Sequence, residues 1–416
     1  MAEFPPEIIT LILSKLPAKS LVRFKSVCKP WNSLIKSSNF VKIHLNRTLT
    51  SDCNRHLLVS VGHLSLHSSK IDHNQLSFSE IHDPIKPRQL FNLVGSRNGV
   101  VCISNISKTD VLLFNPVTKS RRKLPSPQIP IPKLNITVFG FGYDSKNDDY
   151  KVLRIVQGLG KIEDSNNKAQ VYSLNSNSWR CVQGLPYSLY YGIYDGVLFN
   201  EALHYVVTHE SESMFIATFD LRTEGFSRID YPNYKDKFHS ESVFTLTELG
   251  GCLCLFINCH KYKCDADPDE MVESESDDDE DDDLDEYLDA RVLEQFDFWV
   301  MKEYGNKESW VKLFSICKPW IIGSSKFIRP VVYSKDGRRI LLEIDNSRYC
   351  WYDLESGNVE RITVSGLPKG NCLTGTSMDS LVSLEDKILS EKETLPRKNK
   401  KKVVDNFLST GFKLRL

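Results

Sequence analysis

Two patterns of apolar residues divide the chain. From Phe4 to about Leu45 the apolar residues form three short runs that prolines separate. Pro17 ends the first run, and Ser20 is placed as the N-cap of a second helix. A third run has apolar residues at i, i+3 and i+4, namely Trp31, Leu34 and Ile35. This spacing predicts a small all-α domain of three helices over residues 1–45.

The first predicted helix is apolar on almost every side. Between Pro5 and Pro17 its apolar residues are Ile8, Ile9, Leu11, Ile12, Leu13 and Leu16. Such a helix must be buried on nearly all sides, but a domain of about 40 residues has too little core to cover it alone. The pattern therefore predicts that a partner covers the apolar surface left over.

Residues 55–377 have a different pattern, in which short β-branched and aromatic runs alternate with Gly, Asn, Asp and Ser turns. One unit recurs, an aromatic-containing strand followed by a polar turn, at residues 113–118, 171–175, 219–223, 299–302 and 351–354. The spacing is about fifty residues once an acidic insertion is set aside, which is typical of kelch-like blades. The region is predicted to be an all-β, β-propeller-like domain of roughly six blades.

Composition adds two charged segments to this picture. The net charge is -1, yet residues 265–289 contain sixteen Asp and Glu and neither Lys nor Arg. This insertion is interpreted as a disordered acidic surface loop, and the alternative is that it captures a basic partner or the Lys-rich tail. Residues 385–416 are predicted to be a flexible basic tail. Two interpretations of its lysine cluster remain open, a nuclear-entry signal or simply a solvated chain end: Lys398, Lys400, Lys401 and Lys402.

The remaining composition bounds the class of protein. Eleven scattered cysteines, mostly within apolar runs, are typical of buried free thiols. No apolar run approaches the roughly 18–20 residues that would span a bilayer. We expect a protein of the cytoplasm and/or nucleus with no membrane and no nucleic-acid partner.

The first region resembles a known family. The string FPPEIITLILSKLPAKSLVRFKSVCKPWNSLIKSSNF is similar to an F-box nearly position for position, with Phe4 where Leu is usual. GFGYDSKNDDYKVLRIV, VYSLNSNSWR, NEALHYVV and FDFWVMKEYGNKESWVKLFSI resemble the F-box-associated domain (type 1, kelch-like) of plant F-box proteins. Together the two resemblances cover most of the chain.

The resemblance implies the substrate-recognition subunit of an SCF-type ubiquitin ligase. The F-box would bind a Skp-family adaptor, which connects it to cullin and RING subunits, while the β domain captures an unknown target for ubiquitination. The receptor would supply proximity only, so no catalytic residue and no cofactor are expected. The expected adaptor-binding residues are Pro5, Ile8, Ile9, Leu16, Pro17, Leu21, Val27, Cys28 and Trp31. Some of them face the F-box interior, and the sequence does not sort the two groups.

Several other features have competing interpretations. Four tyrosines are candidates for the substrate face, although packing between blades is favoured for them: Tyr187, Tyr190, Tyr191 and Tyr194. A cluster of Cys252, Cys254, Cys259, His260 and Cys264 lacks paired C-x-x-C spacing, so no metal is expected. The alternative functions are a kelch-like propeller scaffold and an acidic-loop chaperone without a ligase role.

Overall fold

The computed structural model describes residues 5–51, 55–72, 74–81, 90–129, 135–158, 167–190, 195–208, 214–232, 242–262, 291–317, 325–370 and 372–385. Within these residues, helices come first and strands follow. The helices are α1 (Pro6–Ser14), α2 (Ala18–Phe24), α3 (Lys29–Lys36) and α4 (Ser38–Ser51).

Three of these helices correspond to the three predicted ones. Proline sets their boundaries, since α1 and α3 have Pro in their first turn and Pro17 is the N-cap of α2. The prediction of Ser20 as an N-cap was wrong, because α2 begins at Ala18 and Ser20 lies inside it. Pro17 makes no side-chain cap hydrogen bond, because proline has no polar side-chain atom, and its fixed φ is compatible with a helix start.

The fourth helix, α4, was not predicted. Its buried side is formed by Phe40, His44 and Thr48, which are four residues apart and lie one above the other. Two of these three residues are polar, and the Oγ1 atom of Thr48 donates a hydrogen bond to the His44 carbonyl at 2.9 Å. A search for apolar periodicity passes over a helix whose inner face is mostly polar.

The strands form six antiparallel blades, which confirms the predicted all-β propeller. Blade 1 combines the last strand with the first ones: β27 (Cys372–Met378), β1 (Arg55–Val61), β2 (Ser65–Lys70) and β4 (Ser79–Glu80). Blade 2 is β5 (Phe91–Arg97), β6 (Val100–Asn105), β7 (Val111–Phe114) and β8 (Arg121–Lys123). Blade 3 is β9 (Asn135–Asp144), β10 (Asp149–Gly158), β11 (Lys168–Ser173) and β12 (Ser178–Val182).

Blade 4 has a divided inner strand, because β13 (Ser188–Leu189) and β14 (Val197–Phe199) both pair with β15 (Ala202–Thr208), and β16 (Met214–Asp220) and β17 (Phe226–Ile229) complete it. Blade 5 is β18 (Val243–Leu249), β19 (Cys252–Tyr262), β20 (Arg291–Met301) and β21 (Trp310–Ile316). Blade 6 is β22 (Ile328–Tyr333), β23 (Arg339–Ile344), β24 (Arg348–Asp353) and β25 (Val359–Arg361). The edges of blades 1 and 6 are joined by β3 (Gln75–Ser77), which pairs in parallel with β26 (Thr363–Ser365).

The ring of blades is closed by the pairing of β27 with β1, from Arg55 opposite Met378 to Val61 opposite Cys372. The inner strands β27, β5, β9, β14, β18 and β22 each contact the next, and β22 contacts β27. The recurring strand-and-turn unit of the sequence lies at the end of the third strand in blades 2 to 6, on β7, β11, β16, β20 and β24. The sequence period is thus the period of the blades.

The propeller has two faces, because the turns of antiparallel strands alternate between them. The helix face carries the turns from first to second and from third to fourth strands, such as 145–148 and 115–120. Lys42 of α4 forms an ion pair with Asp148 at 2.7 Å there. The far face carries the turns from second to third strands, such as 62–64, 106–110 and 345–347. The predicted acidic insertion and most of the basic tail lie outside the described residues.

Candidate functional site

Helix α1 has one buried side and one exposed apolar side. Leu13 is 1 % exposed and packs with Leu21, Ile35 and Phe40 of the other helices. On the other side the exposed fractions are 43 % for Ile8, 54 % for Leu11 and 52 % for Ile12. Positions three and four apart share a face of a helix, so these three residues form one surface. We call Ile8, Leu11 and Ile12 the apolar face of α1.

The structure sorts the expected adaptor-binding residues into three groups. Those at the surface are Pro5, Ile8, Pro17, Val27 and Cys28. Those that are half-buried are Ile9, Leu16 and Trp31, which all pack against the helical core. Leu21 is 0 % exposed.

Leu21 is one of the expected residues that face the F-box interior. It lies on the inner side of α2, in the cluster that joins the helices to Val117 and Leu381 of the propeller domain. A side chain without accessible surface has no area to offer to another protein. Leu21 therefore supports the helices that display the surface.

Sequence reasoning missed Leu11 and Ile12 as surface residues. A helix that is apolar on almost every side gives no sign of which side faces inward. In the structure Leu13 faces inward, since its neighbours in the core lie on α2, α3 and α4. Once Leu13 points inward, its neighbours one and two positions earlier must point elsewhere, because successive residues are about 100° apart around a helix.

The turn after α1 is fixed by a histidine of α4. The Nε2 atom of His44 lies 2.9 Å from the carbonyl oxygen of Leu16, and the ring is 3 % exposed. Burial lowers the pKa of His44, although its hydrogen bond to Leu16 acts in the opposite direction. The neutral ring donates to the carbonyl and so holds the Leu16–Pro17 turn in place.

The far face of the propeller also exposes apolar residues, at blades 1 and 2. Leu64 lies in the turn from β1 to β2, Leu90 precedes β5, and Ile106 follows β6, and all three are exposed. The segments of Leu64 and Leu90 are connected, because the Phe91 amide donates to the His63 carbonyl at 2.8 Å. Several exposed apolar side chains in one region are typical of a protein-binding surface.

A nearly buried ion pair on the far face connects the turn after β6 in blade 2 to the segment before β14 in blade 4. The Nζ atom of Lys108 lies 3.2 Å from Asp195 Oδ1, which also accepts the Phe139 amide at 2.8 Å. Burial raises the pKa of Asp195, and the charge of Lys108 reduces that rise. The contact fixes the start of β14 against blade 3, where Gly196 donates to the Phe139 carbonyl.

Two of the four candidate tyrosines, Tyr187 and Tyr190, lie within the described residues, and both pack against other aromatic rings. The Tyr187 ring packs edge-on against Phe215 at 4.6 Å between ring centres. Tyr190 packs against Phe244 and donates its hydroxyl to the Ser242 carbonyl at 2.9 Å. Tyr191 and Tyr194 lie outside the described residues. Tyr187 packs on the cluster that blades 3 and 4 share, and Tyr190 on the cluster that blades 4 and 5 share, which favours packing between blades for both.

The Cys and His residues of the candidate metal cluster lie on different sides of strand β19. Cys252 and Cys254 face blade 6, Cys259 belongs to the cluster on the opposite side of β19, and His260 lies 2.6 Å from the Lys326 carbonyl. Cys264 lies outside the described residues. Across the described part of the chain, no three His, Cys, Asp or Glu residues come together as metal ligands. Among the same residues, no helix has the length and apolarity needed to cross a membrane.

Comparison with known families matches both regions. The F-box domain family matches residues 1–43, and the F-box associated beta propeller domain family matches residues 47–267. The F-box protein CPR1 of Arabidopsis thaliana is 32 % identical, with 100 % of both chains covered. A second F-box protein of the same plant is also 32 % identical over 100 % of both chains. Among solved structures, TolB from Acinetobacter baumannii matches with a TM-score of 0.42 at 11 % identity, covering 82 % of this chain and 72 % of that one.

Proposed function

The chain belongs to the family of F-box proteins that carry an F-box-associated β-propeller domain, and from this premise we propose how it acts. This domain pair implies a substrate-adaptor role in SCF ubiquitin ligases. In our proposal, the apolar face of α1 binds a Skp-family adaptor, and the adaptor joins the protein to cullin and RING subunits. The far face of the propeller holds a target protein for ubiquitination and degradation.

The apolar face of α1 is the observation that carries this proposal. Fully burying a side chain of this size contributes about 1.5–3 kcal/mol, and Ile8, Leu11 and Ile12 keep about half of that surface exposed in the free protein. The propeller lies against the opposite side of the helices, at Val117 and Leu381. A partner that covers this face would therefore gain apolar burial that the chain itself does not use.

The far face supports the second half of the proposal. It lies across the propeller from the helices, so an adaptor on α1 and a target near Leu64, Leu90 and Ile106 would not compete for surface. The protein would hold the target within reach of a ubiquitin-conjugating enzyme, which raises the effective concentration of the target lysine. Group transfer itself would take place on other subunits.

A matched pair of charge substitutions tests the adaptor site. Leu11 and Leu64 are equally exposed, at 54 % and 53 %, on α1 and on the far face respectively. Leu11→Asp is expected to weaken capture of a purified Skp-family adaptor at least about a hundredfold, because an unpaired carboxylate would be buried in the contact. Leu64→Asp is expected to leave adaptor affinity unchanged.

The measurement is the adaptor dissociation constant by calorimetry for the two variants and the parent protein. Thermal unfolding serves as the folding control, since both substitutions are at the surface. Equal affinity of the Leu11→Asp variant and the parent would rule out α1 as the adaptor site. Equal loss in both variants would show that added charge alone weakens binding.

A further inference from the structure

Two segments of the chain attach the helices to the propeller, in addition to the ion pair between Lys42 and Asp148. One is the chain itself, which passes from α4 at Ser51 to β1 at Arg55. The other is the segment that follows the ring-closing strand β27, residues 379–385, which we call the C-terminal strap. The matches to the two known domains end at residue 43 and residue 267, so neither of them includes this segment.

The side chain of Asn115 binds the backbone of the strap. The Nδ2 atom of this fully buried residue lies 3.2 Å from the Ser380 carbonyl, 3.0 Å from Ser380 Oγ and 2.9 Å from the Val382 carbonyl. Thr118 Oγ1 also donates to the Val382 carbonyl, at 3.0 Å. Asn115 Oδ1 accepts the Val117 amide at 2.9 Å, which fixes the orientation of the side-chain amide. The strap is therefore bound to the turn from β7 to β8.

Two leucines of the strap point into different parts of the molecule. Leu381 is 3 % exposed and belongs to the cluster of Leu13, Leu21 and Phe40 in the helices. Leu384 packs instead in the cluster between blades 2 and 3, and its amide donates to Ser120 Oγ at 3.2 Å. One short segment thus enters the core of both domains.

An ion pair extends the attachment to α2. Asp379 Oδ2 lies 3.4 Å from Lys19 Nζ and 3.5 Å from His56 Nε2 of β1. Burial opposes ionisation of this carboxyl, but the hydrogen bonds and charges of His56 and Lys19 outweigh burial and keep the pKa of Asp379 below its usual value. The carboxylate therefore connects a residue of the helices to a residue of the first blade.

The propeller leaves room for the strap at one glycine. Gly99, in the turn from β5 to β6, has a φ of +76°, and a Cβ there would lie 2.4 Å from Ser380 Oγ and 2.8 Å from the Met378 carbonyl. Any other residue at this position would clash with the strap and would also be strained by the positive φ. The sequence of blade 2 is thus adapted to the strap at Gly99 as well as at Asn115.

We propose that the C-terminal strap is a positioning element that holds the F-box helices in one orientation relative to the propeller. Domains joined by a single linker usually move relative to each other unless a sizeable apolar interface prevents it. The strap contributes Leu381 to that interface, beside Val117 of blade 2, and is itself fixed to blade 2 through Asn115. This inference rests on the proposed function, because in a ligase receptor the orientation sets the path between the adaptor and the bound target.

The experiment measures the distance between the two domains in the isolated full-length protein. Spin labels are placed at the exposed positions Lys36→Cys of α3 and Glu355→Cys of blade 6, in a background where other label-reactive cysteines are replaced by Ser. Double electron–electron resonance gives the width of the distance distribution. A chain that ends after Glu385 is expected to keep the narrow distribution of the parent. A chain that ends after Met378 is expected to broaden it at least about twofold.

Two point variants separate positioning from stability. Leu381→Ala is expected to broaden the distribution, because its side chain packs among the helices, while the unfolding temperature of the propeller changes little. Leu384→Ala is expected to do the reverse, because its side chain packs between blades 2 and 3. Equal widths in all variants, or equal broadening by both alanines, would overturn the proposal.

Adaptor affinity distinguishes this inference from the proposed function. The Leu381→Ala variant keeps the apolar face of α1 intact, so it is expected to bind a Skp-family adaptor as the parent does. A parent protein that has a narrow distribution but does not bind the adaptor would refute the ligase role and leave the strap as a positioning element. A parent that binds the adaptor but already shows a broad distribution would refute the strap alone.

Discussion

The first helix of the F-box and the blades of the propeller differ in how far their large apolar side chains are exposed. Between blades 5 and 6, the rings of Phe256, Phe296 and Phe298 are all fully buried. On α1, by contrast, Leu11 and Ile12 are each more than half exposed. Both regions are rich in apolar residues, but the rings between these two blades are covered by the propeller itself, whereas the apolar face of α1 is not covered by the helices.

The difference follows from how each region is closed. The pairing of β27 with β1 completes the ring, so every blade of the propeller has a neighbour on both sides. Helix α1 has nine residues and packs on the other helices along one side only. An exposed leucine therefore has a different meaning in each region: on α1 it marks a surface that the chain leaves uncovered, and between blades it would mark a folding defect.

The largest expected effect is on the stability of the core between blades. Phe298 lies 5.3 Å from Phe314, measured between ring centres, and Phe298→Ala would leave a cavity that neighbouring blades cannot close. The free energy of unfolding is expected to fall by about 3–5 kcal/mol. Leu11→Ala is expected to change it by less than about 0.5 kcal/mol, because the side chain is mostly exposed. Urea denaturation followed by tryptophan fluorescence measures both.

Adaptor binding should show the opposite order of effects, with the larger loss in Leu11→Ala. At a temperature where both are folded, Leu11→Ala is expected to weaken adaptor capture and Phe298→Ala to leave it unchanged. If Leu11→Ala destabilises the protein by several kcal/mol, then α1 is covered by its own chain in solution and the contrast between the two regions is lost.

The sequence predicted the propeller because its signal repeats. The end of the third strand and the following polar turn recur in blades 2 to 6, so five weak signals support one another. Blade 1 lacks the signal, since β2 has the sequence SLHSSK without an aromatic residue. Its strands are instead identified by ring closure, which joins residues at opposite ends of the domain.

The site was predicted less completely, for physical reasons that differ between residues. An apolar residue such as Leu21 can serve a core or an interface equally well, and only three-dimensional packing separates the two. The strap was missed because Asn115 and Ser380 are 265 positions apart, and a single asparagine before a turn is typical of any hairpin. Helix α4 was missed because His44 and Thr48 replace apolar residues on its inner side.

A second expected effect concerns acid stability of the propeller. Burial lowers the pKa of His204 to about 4, while hydrogen bonds to the Val197 and Ala202 backbone act in the opposite direction. In the unfolded chain its pKa would be about 6.5. Between these values the unfolded state binds a proton that the folded state does not. The contribution of His204 to the free energy of unfolding is therefore complete above pH 6.5. It falls by about 3 kcal/mol as the pH decreases towards 4.

The test compares the free energy of unfolding at several pH values for the parent and for His204→Gln. The neutral ring suits its site, because Nδ1 lies 3.1 Å from the Val197 carbonyl and Nε2 lies 2.9 Å from the Tyr304 hydroxyl. The variant cannot gain this proton, so its stability should depend less on pH in that window. Identical pH dependence of the two proteins would show that His204 does not titrate in this way.

The smallest expected effect concerns the hydroxyl of Tyr190. Its hydroxyl donates to the Ser242 carbonyl, and its ring packs in the cluster that joins blades 4 and 5. Tyr190→Phe keeps the ring and removes the hydroxyl, so the carbonyl loses one hydrogen-bond donor and the free energy of unfolding should fall by about 1 kcal/mol. Thermal unfolding of parent and variant measures the difference. A variant that unfolds at the parent temperature would mean that the hydroxyl does not stabilise the blades and that the contribution of Tyr190 comes from its ring alone.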